Sequence, residues 1–212
     1  MNKQIFRYVI IVLILFTSVR CSRKIVSFTG ENLKTVNREI VAIDKEANTV
    51  ILNNEPGDGM AVLEEVNFDI GTIELEMKGE NIQQKSFVGI AFNIQNDSTY
   101  EAIYFRPFNF QADEKIRREH SIQYIYHPKH NWRYLRTNYE GEFEAEFPRR
   151  PSPNEWFKIS IKIDNNKVYV HENESTVELL SVNRLTEQVS NKIGLWTGND
   201  SKGQFRNLKI SK

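Results

Sequence analysis

From Phe28 onward, apolar positions recur at period two in short runs with turn-forming residues between them, and helical periodicity is scarce. The clearest alternation lies in 87–94, where Val88, Ile90, Phe92 and Ile94 share one face and Phe87, Gly89, Ala91 and Asn93 the other. The first set predicts a core face. The second is small for an exposed face, so a neighbouring backbone or a ligand is expected to approach it closely. Ile159, Ile161 and Ile163 form another inward set, as do Ile193 and Leu195, and Trp196 beside them reads as core. Strands are predicted at 39–43, 49–52, 61–63, 72–78, 87–94, 100–106, 122–126, 142–147, 156–163, 167–171, 175–179, 192–197 and 203–210. The intervening N-N-E-P-G-D-G (53–59), N-D-S (96–98), R-R-P-S-P-N (149–154), D-N-N (164–166) and G-N-D-S-K-G (198–203) supply the backbone angles that tight reversals need. A short helical turn is expected near 185–189. So many strands with no βαβ rhythm predict a single all-β domain, a two-sheet sandwich or jelly roll.

The first 21 residues break this pattern. Lys3 and Arg7 precede the apolar run Tyr8 to Phe16, which is too short for a comfortable membrane span of ~20 residues and matches the hydrophobic region of a signal peptide. Cys21, the one cysteine, stands directly behind it in T-S-V-R-C, and the segment resembles a bacterial lipoprotein signal whose cleavage leaves a lipidated N-terminal cysteine. Residues 1–21 are therefore expected to be a leader, 22–29 a short tether and 30–212 the folded domain. The expected location is the cell envelope, with an uncleaved anchor or a secreted form as alternatives.

Composition narrows the function classes. The whole chain balances 28 basic against 28 acidic residues; removing Lys3, Arg7 and Arg20 with the leader leaves 25 basic against 28 acidic. Nucleic-acid binding would need a basic excess to neutralise phosphates, so that class is excluded. A lone cysteine also excludes an intrachain disulfide framework and a cysteine-based zinc site.

Several stretches are specific enough to carry a resemblance: F-D-I-G-T-I-E-L-E (68–76), F-V-G-I-A-F (87–92), Y-E-A-I-Y-F-R-P-F-N-F (100–110), I-Q-Y-I-Y-H-P-K-H-N-W-R-Y-L-R (122–136), N-E-W-F-K-I-S-I (154–161) and G-L-W-T-G-N-D-S-K-G-Q-F-R-N-L-K-I (194–210). Together they resemble the concanavalin A-like lectin/glucanase (laminin-G-like) superfamily and, within it, are most similar to the bacterial 3-keto-disaccharide hydrolase family. The resemblance covers roughly residues 30–212. It implies a concanavalin A-like jelly-roll β-sandwich of two antiparallel sheets, with carbohydrate contacted on the concave face.

The residues suggest where. Tyr100, Tyr104 and Arg106 share one face of their strand with Ala102 between them; Glu101, Ile103 and Phe105 share the other. Aromatic rings cover the apolar C–H faces of sugars, and arginine donates several directed hydrogen bonds, so the first face is a candidate platform. Gln123 and His127 fall on one face of the next strand. Trp132, in an expected loop, and Arg136 complete the carbohydrate-binding candidates Tyr100, Tyr104, Arg106, Gln123, His127, Trp132 and Arg136. Glu101, among apolar neighbours, reads as a buried carboxylate paired with an arginine.

Catalytic constellations are scarce. The Glu-x-Asp-x-x-Glu pattern of sandwich glucanases is missing, as are G-x-S-x-G and H-E-x-x-H. Glu140, Glu142, Glu144 and Glu146 alternate along a predicted strand and read as a solvated face. Should the family's hydrolysis of 3-keto-glycosides apply, Glu101 or His127 is the candidate base, with Arg106, Gln123 and Arg136 as donors to the enolate. The H-P-K-H spacing of His127 and His130 is not helical, so no metal site is expected there. Asp97 and Asp200, each in an N-D-S turn, leave calcium as an option. No other cofactor is expected, and the expected partners are carbohydrate and, through the lipid, a membrane. The sequence leaves glycan binding, glycoside hydrolysis and an accessory structural role open, and with them the oligomeric state.

Overall fold

The computed structural model describes residues 23–172, 175 and 177–212; the expected leader and Cys21 lie outside them. The alternating runs form strands β1 (Lys24–Ile25), β2 (Leu33–Val36), β3 (Ile40–Asp44), β4 (Thr49–Leu52), β5 (Gly59–Leu63), β6 (Gly71–Lys78), β7 (Val88–Asn96), β8 (Thr99–Phe105), β9 (Ile122–His127), β10 (Glu144–Ala145), β11 (Phe157–Ile163), β12 (Lys167–Glu172), β13 (Glu178–Asn183), β14 (Gly194–Thr197) and β15 (Gly203–Ser211). Two short helices, α1 (Lys115–Glu119) and α2 (Trp132–Asn138), interrupt them. One antiparallel sheet runs β13-β12-β11-β6-β15-β4-β3, with β1 beside β15; the other runs β10-β9-β8-β7-β14-β5-β2. The predicted two-sheet sandwich is thus the observed architecture.

Period-two burial explains how the sheets face each other. Ile90, Ile103 and Leu195, aligned across β7, β8 and β14, have no exposed surface. They lie on the face that meets the first sheet, because Phe105, two residues on from Ile103, packs its ring 5.2 Å from that of Phe157 in β11. Ile159, Ile161 and Ile163 of β11 are buried from the opposite side, as their alternation predicts.

Where structure and pattern differ, tertiary partners decide. β1 and β2 were not expected: each is short and pairs on one side only, with β15 and β5 respectively. The strand expected at 175–179 lies instead at Glu178–Asn183, where pairing with β12 sets Leu180 opposite Val170 and Val182 opposite Val168, turning both inward. The segment 185–189 is not helical. It has no regular secondary structure, with Leu185 N–H donating to Tyr124 Oη at 3.1 Å and Gln188 N–H to Thr186 Oγ1. The glutamate-rich strand shrinks to β10, and the 16-residue link from β8 to β9 carries a 3-10 turn (Pro107–Asn109) and α1.

Candidate functional site

The outer face of the second sheet carries the site. Gly89 of β7 stands between Tyr104 of β8 and Trp196 of β14, and Gln123 of β9 lies beyond Tyr104. A Cβ on Gly89 would meet the Tyr104 Cβ at 2.6 Å, so this glycine is what lets aromatic rings lie across β7. The Tyr104 and Trp196 rings meet with centroids 4.9 Å apart, and Trp196 Nε1 donates to Tyr100 Oη at 3.1 Å. The close approach expected over the small face of β7 is therefore made by the protein's own aromatics. Trp196 is buried in the core cluster as expected, on the face of β14 that it shares with Tyr104.

One wall is built around Glu144. Its neighbours in the sequence suggested solvent, yet Glu144 is 7% exposed. It pairs across the sheet with Gln123, whose neighbour Tyr104 precedes Arg106 by two residues on the same face. Arg106 Nη1 donates to Glu144 Oε1 (3.2 Å) and to the His120 carbonyl (2.7 Å), and its Nη2 to Tyr104 Oη (2.8 Å) and Gln123 Oε1 (3.2 Å). Arg136 of α2 grips the same carboxylate, Nε to Oε2 at 2.9 Å and Nη2 to Oε1. Burying a carboxylate is costly unless charges and hydrogen bonds compensate it, and two guanidiniums do so here. Burial holds the neighbouring His120 imidazole below its ordinary pKa, against the pull of Glu144.

α2 forms the rim of that wall. Trp132 is not in a loop: Asn131 caps the helix, its Oδ1 accepting from Tyr134 N–H at 3.0 Å, and Trp132 opens the first turn. Leu135 alone of the helix is fully buried, which anchors it and leaves Trp132 41% exposed. The guanidiniums of Arg133 and Arg136 lie 5.3 and 5.1 Å from the indole centroid.

The opposite wall comes from the turn before β5. Arg38 ties it down, donating to the Gly57, Thr197 and Gly198 carbonyls, while Asn199 Oδ1 accepts from Gly57 N–H. Asp58 projects from this turn. Although the residue stands exposed, its carboxylate is crowded by protein atoms, and that desolvation pushes its pKa up against the pull of His127 and Arg38. Tyr100 Oη donates to it at 3.5 Å. The Tyr100 hydroxyl is itself pushed far up by burial and by Asp58. His127 stacks on the Tyr100 ring at 5.2 Å and places Nδ1 2.9 Å from the Ser98 carbonyl, so Nδ1 carries a proton and Nε2 is left to interact elsewhere.

These walls enclose an open groove of about 810 Å³. Of the residues singled out by sequence, Tyr104, Arg106, His127, Trp132 and Arg136 line it. Gln123 and Tyr100 are buried beneath it, supporting Arg106 and Trp196. Glu101, the alternative base, is excluded by its face: it points between the sheets, fully buried, accepting from Tyr124 Oη (2.6 Å), Asn93 Nδ2 (2.6 Å) and the Arg184 guanidinium. Its reading as a buried arginine-paired carboxylate holds. His130 does not join His127; its ring packs between Tyr126 and Tyr134. Asp97 and Asp200 follow opposite ends of the nine-residue β7, since Gly198 N–H bonds to Phe87 O, and so share no ion. Asp200 pairs with Lys85. No group of three or more His, Cys, Asp or Glu gathers for a metal among the described residues.

Sequence reasoning missed Asp58, His120, Arg133 and Glu144. The first looked like a turn residue and the last like one of four equivalent surface acids. Its place between Phe143 and Ala145, one buried and one half-buried, was the available signal for Glu144.

No family model matches the chain, and no curated protein does. Solved structures do. The carbohydrate binding module CBM66 from Bacillus subtilis superposes with a TM-score of 0.59 at 11% identity, over 85% of this chain and 96% of that one. The exoplasmic/lumenal domain of VIP36 in its Ca2+/Man3GlcNAc-bound form gives 0.52 at 9% identity, over 87% and 84%. A native glycosidic hydrolase gives 0.51 at 8% identity, over 90% and 95%. The fold is a concanavalin A-like sandwich.

Proposed function

We propose that this protein is a glycan-binding domain of the bacterial cell envelope, anchored by a lipid on Cys21, with the groove over β7, β8, β9 and β14 as its carbohydrate site. The observation that carries this reading is the meeting of Tyr104, Arg106, His127, Trp132 and Arg136 around one open groove. Sugar recognition asks for an accessible ring against C–H faces and directed polar groups for hydroxyls. Trp132 supplies the ring, and Arg133, Arg136 and His127 the polar groups. The carbohydrate named for CBM66 and for the VIP36 domain supports the reading, since both share this fold. Lipidation is expected to fail in Cys21→Ser, which would release the protein from membranes.

A hydrolytic reading, towards glycosides or 3-keto-glycosides, is favoured by one feature. Asp58, with its raised carboxyl, and the imidazole of His127 both line the groove, an acid and a base in one cleft. A glycan array beside a hydrolysis screen that includes 3-keto sugars separates the two. Binding without turnover, weakened roughly tenfold or more by Trp132→Ala, is the expected result. Turnover abolished by Asp58→Asn and by His127→Gln would replace it with the hydrolase. Silence in both assays overturns both.

A further inference from the structure

Resting on that glycan reading, we infer that the groove's ligand is an acidic saccharide, whose carboxylate or sulfate groups meet Arg133 and Arg136 on α2. The charge of the lining is one-sided. Arg106, Arg117, Arg133 and Arg136 line the groove, and Asp58 is the one acid among the lining residues. The chain as a whole balances its charges, so this excess is local.

The excess survives an account of ion pairs. Arg117 has Glu114 at 3.4 Å. Arg106 and Arg136 share the single carboxylate of Glu144, which leaves one positive charge between them. Arg133 has no acidic partner among the described residues; its guanidinium lies 5.3 Å from the centroid of the Trp132 ring. Two uncompensated charges therefore remain beside Trp132. His120, on the same wall with Nδ1 3.1 Å from Glu144 Oε2, has its charged form disfavoured by burial. The negative charge of Asp58 comes from the wall before β5. There it is met by Arg38 and His127, with the Tyr100 hydroxyl 3.5 Å away, rather than by the arginines of α2.

A neutral sugar seated on Trp132 would take water from both guanidiniums and return only hydroxyl contacts. A carboxylate or sulfate matches the fork of Arg133 and neutralises the excess charge. Arg136 is well placed for this, because Glu144 holds its Nε and Nη2 and leaves Nη1 for a ligand. Trp132 covers the ring of the same sugar, so stacking and charge pairing act on one residue of the glycan.

The test is calorimetric titration of the full chain at low and high salt. The probes are oligogalacturonate, oligoglucuronate and oligomannuronate, each beside its carboxyl-reduced neutral counterpart, with a sulfated galactan oligosaccharide and polyglutamate. The expected result is at least tenfold tighter binding of one or more acidic glycans than of the matched neutral forms. Affinity should fall with salt, and roughly tenfold in Arg133→Gln, which breaks no ion pair among the described residues. Preference within the panel separates carboxylate from sulfate. Equal or tighter binding of the neutral forms overturns this inference and leaves the glycan reading standing. Polyglutamate binding as tightly as the acidic glycans, undiminished by Trp132→Ala, also overturns it, as mere ion attraction. Silence across every glycan, acidic and neutral, overturns the glycan reading and this inference with it.

Discussion

Two carboxylates on the same sheet, Glu101 of β8 and Glu144 of β10, have fates that separate structure from site. Both are buried and both are gripped by arginine. Glu101 points between the sheets, where Arg184, Tyr124 and Asn93 use its oxygens and the Arg184 side chain is itself only 6% exposed. Glu144 lies on the outer face, where two arginines share it and the Arg136 side chain remains 32% exposed. The first cluster is closed and balanced. The second has more positive than negative charge and opens on a groove. Burial and ion pairing are common to both, so neither marks a binding site; unsatisfied charge with access to solvent does.

The largest effect should come from breaking the closed cluster. Glu101→Ala leaves the Arg184 guanidinium without its carboxylate and is expected to cost about 3–5 kcal/mol, the usual penalty for removing one partner of a buried pair. Denaturant unfolding would measure it, and glycan affinity per folded molecule should not change. A smaller effect is expected from Glu144→Gln, about 1–3 kcal/mol, because Arg136 can turn to water. The same variant frees a guanidinium for ligand, so affinity for an acidic oligosaccharide should rise while stability falls. Equal stability costs at the two sites, with no gain in affinity, would erase the contrast drawn here.

The smallest effect is a pH slope. His120 faces Glu144, Arg136, Arg106 and Glu119, and burial holds its pKa below the ordinary value of 6.5. The unfolded chain therefore takes up the proton first. Stability should be full above about pH 6.5 and decline as pH falls from there through the lowered folded value. Unfolding midpoints between pH 7 and pH 5 would show the decline, and His120→Gln should flatten it.

Legibility followed the range of the interactions. Strand β4 falls at the predicted residues, and β6, β7, β8, β11 and β15 lie within two residues of theirs, because each carries its own run of inward apolar side chains. The faces of 100–106 were equally readable: Tyr100, Tyr104 and Arg106 lie outward and Glu101 inward. α2 was not legible. Its seven residues bury one side chain, and its start depends on the Asn131 cap rather than on an apolar stripe. Asp58 and Glu144 escaped for a related reason. Their environments are made by residues distant in the chain, Tyr100 and Arg38 for one and Arg106 for the other.

By itself the sequence determined a two-sheet antiparallel sandwich, the inward and outward sets of its long strands, and the segment Tyr100 to Arg136 as the richest in polar and aromatic candidates. Period-two burial is a local property and can be counted along the chain. Only the tertiary structure decided which carboxylate is sealed and which underlies the groove. It also set Trp132 on a helix beside two guanidiniums and Asp58 on the facing wall. Charge balance in a groove depends on distances between strands far apart in sequence, and that is set when the sheets close.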